Sequence, residues 1–122
     1  MNTGELSGAT LAYLSDAVIE LMVHKLLIQR GEGDVGAMNK IADSYVRASA
    51  QSLAIDKILP LLTEDELAVF KRGRNTHSHT VPKNAKVSDY RKATGMEALF
   101  AALYLEGRQE RMEMLFEAAY GQ

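Results

Sequence analysis

The 122-residue sequence contains no cysteine. That excludes a disulfide framework, a thiol nucleophile and a thiolate metal centre, and it fits a reducing compartment. Long apolar runs are also lacking. The most apolar stretch, "AVIELMVHKLLI", is interrupted by Glu20, His24 and Lys25, so no membrane span is expected. The first ten residues, "MNTGELSGAT", have neither the basic start nor the apolar core of a secretory signal. A cytoplasmic protein is the expectation. The alternating pattern of strands is absent, as are internal repeats, low-complexity segments and interdomain linkers. No glycine-rich phosphate cradle and no Ser/His/Asp triad stands out.

What is present is helical. Apolar residues recur at helical spacing from Ser7 or Thr10 to about Gln29, and the glycine-rich "RGEGDVG" follows as a turn. Asp34 is placed to cap a second helix carrying Met38, Ile41 and Tyr45. "SAQSLAIDKILPLL" predicts a third helix that ends near Pro60. "TEDE", from Thr63 to Glu66, has capping-box spacing and opens a short helix to about Arg72. "GRNTHSHTVPKNAKV" has no apolar period and predicts a long loop. Ser88 or Asp89 starts a fifth helix to about Glu106, Gly107 ends it, and "RQERMEMLFEAAY" gives a sixth, with Met112, Leu115, Phe116 and Ala119 on one face. The fold class expected is all-α, a single compact helical domain over residues 1–122. The six methionines are expected as core filler.

Charge is unevenly distributed. Residues 71–92 hold seven basic side chains, Lys71, Arg72, Arg74, Lys83, Lys86, Arg91 and Lys92, against Asp89 alone, a net +6. The remaining 100 residues hold seven basic and fifteen acidic side chains, a net −8. A local basic patch on an acidic protein points to a local anionic partner such as a nucleic-acid backbone. The blander alternative is a solvated loop with scattered cations.

Two helices carry lone carboxylates among apolar residues. In "TLAYLSDAVIELMV" the residues Leu11, Leu14, Val18, Leu21 and Met22 form one stripe, and Asp16 lies roughly opposite. That opposite side is itself apolar, with Ala12, Ile19, Val23 and Leu27, so the helix is expected to be packed on several sides and Asp16 to need a compensating partner. In "ATGMEALFAALYL" Glu97 is the only acidic or basic side chain, and Gly95, Ala98, Ala101 and Ala102 are small enough for another helix to approach closely. If these two helices pack with Asp16 facing Glu97, the carboxylates repel and one takes a proton, unless a hard divalent cation such as Mg²⁺ relieves the charge. The alternative is a pair of solvated or salt-bridged acids. A metal-holding pair beside a cationic strip suits phosphodiester cleavage.

"YLSDAVIEL" resembles the signature helix of the ribonuclease III superfamily, and "GMEALFAALYLEG" its second signature. The span "RGRNTHSHTVPKNAKVSDYRKATGMEALFAALYL" resembles the Mini-ribonuclease III branch more closely still, the branch with a nuclease domain and no double-stranded-RNA-binding domain. The resemblance runs from about Leu11 to Phe116. It implies a ribonuclease III-type endonuclease domain, acting as a homodimer on double-stranded RNA, with Mg²⁺-dependent hydrolysis that leaves 5′-phosphate and 3′-hydroxyl ends. It further implies maturation of the large-subunit (23S) ribosomal RNA precursor. Asp16 and Glu97 fall on the signature acids and are implied as catalytic metal ligands. Two further acidic positions of full-length ribonuclease III are neutral in this chain, Ala12 and Thr94, which leaves the number of metals open.

Arg72, Arg74, Asn75, Lys83, Asn84 and Lys86 are the candidate RNA contacts, because A-form RNA is recognised mainly through phosphates and 2′-hydroxyls. His77 and His79 form a two-histidine loop with no third ligand, more consistent with RNA or solvent than with a metal. Glu20, one turn after Asp16, is expected to be an ordinary surface or salt-bridged glutamate. Two rival readings stand beside the nuclease: a catalytically silent relative that binds structured RNA or a ribosome, and a helical interaction protein without RNA.

Overall fold

The first helix begins where a side chain can satisfy its free amides. Ser7 Oγ accepts the Thr10 backbone N–H, and α1 runs from Gly8 to Arg30. It stops at Gly31, whose φ of 68° is the left-handed conformation that glycine adopts without a Cβ penalty. The structure, a computed structural model, describes residues 2–31, 33–76 and 86–121. Asp34 caps α2 (Val35–Val46) by accepting the Ala37 N–H. Arg47 is extended and turns the chain directly into α3 (Ala48–Ile58). A 3₁₀ turn, Leu59–Leu61, takes up Pro60 beyond the end of α3. The capping box forms as its spacing predicts: Thr63 accepts the Glu66 N–H and Glu66 accepts the Thr63 N–H, opening α4 (Glu64–Arg74). The last two helices are α5 (Val87–Leu105) and α6 (Gln109–Tyr120), with Gly107 at φ 71° between them. Among the described residues all regular structure is helical.

α5 is the central helix and packs against α1, α3, α4 and α6. This explains a helix that is apolar nearly all round: nine of its residues are buried, from Ala93 through Leu103. Its small residues set how close the neighbours come. A Cβ on Gly95 would sit 2.7 Å from the Phe70 ring of α4, and one on Gly73 of α4 would sit 2.6 Å from Ala98 Cβ. Leu11 of α1 fills the space over Ala98, Ala101 and Ala102. The main core joins Val18, Ile19, Val23 and Leu27 of α1 to Ile55 and Ile58, Phe70, Met96, Leu99 and Phe100, and the α6 face Met112, Leu115, Phe116 and Ala119.

One detail of α1 differs from its helical wheel. The stripe Leu11, Leu14, Val18, Leu21 and Met22 is not the buried face as a whole: Leu21 is 64% exposed, while Ile19, Val23 and Leu27 of the other side are fully buried. Wheel position alone cannot tell which of two apolar sides meets the central helix. The methionines divide likewise, with Met96 and Met112 buried and Met114 exposed.

Candidate active site

The packing of α1 on α5 brings Asp16 and Glu97 together. Asp16 follows Ser15, and Ser15 is completely buried against α5. Its hydroxyl donates to the Ala12 carbonyl (2.9 Å) and lies 3.2 Å from Glu97 Oε2 as a second acceptor. Ser15 thereby fixes Glu97 beside the helix turn that presents Asp16.

The electrostatic expectation is met, with one correction. Asp16 was expected to be the desolvated charge, but it is exposed. Burial falls on Glu97, which reaches the surface only in part. Its carboxyl is pushed up to about 8, first by burial, then by the negative charge of Asp16 and the hydrogen bond between the two acids, with Ser15 opposing. No Lys or Arg forms an ion pair with either acid among the described residues. Burial, and after it the charge of Glu97, also raises the Tyr120 phenol, which donates to the Tyr45 carbonyl at 3.0 Å. Two adjoining carboxylates without a protein cation form a site of net negative charge.

A cavity of about 310 Å³ opens beside Asp16, lined by Asp16, Ile19, Glu20, Val46 and Gln51. Glu20 is exposed and forms no salt bridge among the described residues, so it shares the cavity wall with Asp16 rather than pairing elsewhere. Gln51, from the first turn of α3, was not singled out from sequence. It is 3% exposed and its Oε1 has no hydrogen-bond partner. A signal was available: Gln51 precedes Ile55 and Ile58 by four and seven residues, which puts it on the inward face of α3.

The two neutral positions are accounted for. Ala12 contributes its carbonyl to Ser15, and the Thr94 hydroxyl donates to the Tyr90 carbonyl at 3.0 Å. No group of three or more His, Cys, Asp or Glu is placed to hold a metal among the described residues. The site is a two-carboxylate site. A larger cavity of about 560 Å³ between α1 and α6 includes neither Asp16 nor Glu97.

A ribonuclease III domain model matches residues 9–108, a segment that contains both acids. Mini-ribonuclease 3 of Symbiobacterium thermophilum is 43% identical over 110 residues, which cover 90% of this chain and 85% of that protein. Mini-ribonuclease 3 of Enterococcus faecalis is 41% identical over 113 residues, 91% of this chain and 86% of its own. The chain belongs to the Mini-ribonuclease III family. A crystal structure of a Fusobacterium nucleatum protein has the same architecture, with a TM-score of 0.84 at 33% identity over 93% of this chain and 90% of that one. Membership in the Mini-ribonuclease III family makes the chain an endoribonuclease acting on double-stranded RNA, and the wider ribonuclease III family depends on divalent metal.

The candidate RNA contacts of this chain fall into three groups. Arg72 donates to the backbone carbonyls of Thr3 (3.2 Å) and Gly4 (3.2 Å), so its guanidinium ties the N-terminal turn to α4. Arg74 lies over the Phe70 ring at 5.7 Å and donates to Asn75 Oδ1 at the C-terminal end of α4, and Lys86 is exposed just before α5. Lys83 and Asn84, with His77 and His79, lie outside the described residues. No helix among the described residues is long and apolar enough to cross a membrane.

Proposed function

We propose that the chain is a Mg²⁺-dependent endoribonuclease in which Asp16 and Glu97 hold the cation and a homodimer cuts both strands of an RNA duplex. The observation that carries this reading is the pairing of two acids across α1 and α5 with no cationic side chain to balance them, which leaves Glu97 protonated near neutral pH. The donors fit a hard cation: two adjoining carboxylates with no cationic partner among the described residues. Mg²⁺ takes oxygen ligands and keeps several waters, so a protein need not supply a full set.

When bound, the cation polarises the scissile phosphate and makes water a better nucleophile. The chain's own contribution is positional. Asp16 and Glu97 would hold the cation, Ser15 orients Glu97 through its 3.2 Å hydroxyl contact, and Glu97 would bind the cation as the carboxylate, its proton passing to solvent. Arg72, Arg74, Asn75, Lys83, Asn84 and Lys86 are proposed to contact the duplex, Arg72 through the N-terminal turn it braces. Products carry 5′-phosphate and 3′-hydroxyl ends, and the duplex is a stem of the 23S ribosomal RNA precursor in the cytoplasm. Exposed apolar side chains on α1, Tyr13 at 88% and Leu21 at 64%, support burial against a second copy.

The test is incubation with a long RNA duplex in Mg²⁺ or in EDTA, followed by analysis of product ends. Staggered double-strand cuts with 5′-phosphates in Mg²⁺ only are expected. Binding with no cleavage at any Mg²⁺ concentration would establish the silent RNA-binding reading instead.

A further inference from the structure

Gln51 is a buried polar group with an unmet need. The residue is 3% exposed on the inward face of α3, and its amide oxygen has no donor. Leaving a buried acceptor unsatisfied costs about 1–3 kcal/mol, so such a group calls for a donor that enters with a ligand. The cavity it lines is shared with Asp16 and Glu20, and at about 310 Å³ has room for several waters. An amide oxygen is a pure acceptor, so the donor it awaits is a water or a hydroxyl.

We infer that Gln51 is a positioning residue of the metal site: its Oε1 accepts a hydrogen bond from a water of the cation's shell beside Asp16. This rests on the reading of Asp16 and Glu97 as the cation-holding pair. The proposed ligands Asp16 and Glu97 are two carboxylates, so most of the cation's shell would be water, and the orientation of those waters depends on acceptors outside the shell. Ala12 and Thr94, neutral in this chain, contribute no charge to that task. Gln51 provides an acceptor from the opposite wall without adding charge to a site whose acids already repel.

The inference predicts a separation of stability from metal affinity. Gln51→Leu and the volume-conserving Gln51→Met remove a buried acceptor that no protein donor satisfies among the described residues. Both variants should keep the wild-type melting temperature in EDTA or exceed it. Both should bind Mn²⁺ roughly 10–100-fold more weakly, the usual cost of losing a group that orients a ligand shell. Mn²⁺ binding is read directly, without RNA, from the paramagnetic resonance of the free ion during titration. Wild-type Mn²⁺ affinity in both variants overturns the inference. So does a loss of affinity that accompanies a lowered melting temperature in both, because that is a packing role. Asp16→Asn runs in parallel: if it binds Mn²⁺ as wild type does, the metal reading itself is overturned, whereas loss in Asp16→Asn with retention in the Gln51 variants removes only the inference.

Discussion

The two acids differ in environment, and that difference decides what each can do. Asp16 is exposed and able to meet a cation arriving with its phosphate, while Glu97 is held from behind by Ser15 and repelled by Asp16. A cation held by this pair, as proposed, would compete with a proton on Glu97. Asp16→Asn and Glu97→Gln each remove one anionic ligand at nearly constant size. Each is expected to lower duplex cleavage at least about 100-fold at saturating RNA, with an unchanged circular dichroism spectrum. Cleavage within threefold of wild type in both variants would refute the assignment. Both acids were legible in the sequence because each stands among apolar neighbours and falls on an acidic position of the signatures the chain resembles. Their burial was not, since exposure depends on which side of α1 meets α5. Gln51 was harder to see: a single glutamine in "SAQSLAID" gains meaning only when α3 is known to share a cavity with Asp16.

Helix boundaries were legible wherever a local signal exists, as at Asp34, at the Thr63–Glu66 box and at Gly107. Contacts between elements were not, and Glu66 is the clearest case. Beyond its capping bond, its 2%-exposed side chain accepts two hydrogen bonds from Arg111 of α6, at 2.7 and 2.8 Å. The guanidinium of Arg111 and the Thr63 amide hold this carboxyl below its usual value despite burial. A depressed carboxylate adds stability that is present above the unfolded value of 4.5 and lost as pH falls through the lowered folded value. Arg111→Ala leaves buried Glu66 with only the Thr63 amide and Arg108 at 3.9 Å, and should cost up to about 3–5 kcal/mol at pH 7. The deficit should shrink below about pH 4, because the protonated acid no longer needs a cation. Urea unfolding at the two pH values measures both effects, and an equal deficit at each would contradict the ion-pair account. The α4–α5 crossing offers a steric counterpart. Gly95→Ala would place a methyl 2.7 Å from the Phe70 ring and 2.8 Å from the Phe70 carbonyl oxygen. Overpacking of about 1–3 kcal/mol then outweighs the gain in helix propensity, at most about 1 kcal/mol, so a lower melting temperature is expected.

At the scale of the whole molecule the open surfaces are the apolar side of α1 and the cationic approach at the α4 and α5 ends. A dimer should be read by light scattering at micromolar concentration, at twice the 13.4 kDa chain mass. Half of all Lys and Arg, 7 of 14, lie in residues 71–92. These cations do not do equal work. Lys92 is engaged with Asp56 at 2.7 Å and Arg72 with the N-terminal turn, so Arg72→Ala should lower stability before it lowers RNA binding. Arg74 and Lys86 flank in sequence the 77–85 segment, which contains Lys83, and these three are the proposed phosphate contacts to test together. Each phosphate neutralised releases condensed counterions, so the logarithm of duplex affinity should fall steeply and linearly with that of KCl concentration. The triple variant Arg74→Ala, Lys83→Ala, Lys86→Ala should bind more weakly and lose up to about one unit of slope per contact removed. Measured in a Glu97→Gln background to prevent cutting, an unchanged slope would mean that the cationic end faces away from RNA. Retained Mn²⁺ binding by the triple variant in the native Glu97 background would show that the loss arises at the phosphate contacts and leaves the acid pair intact.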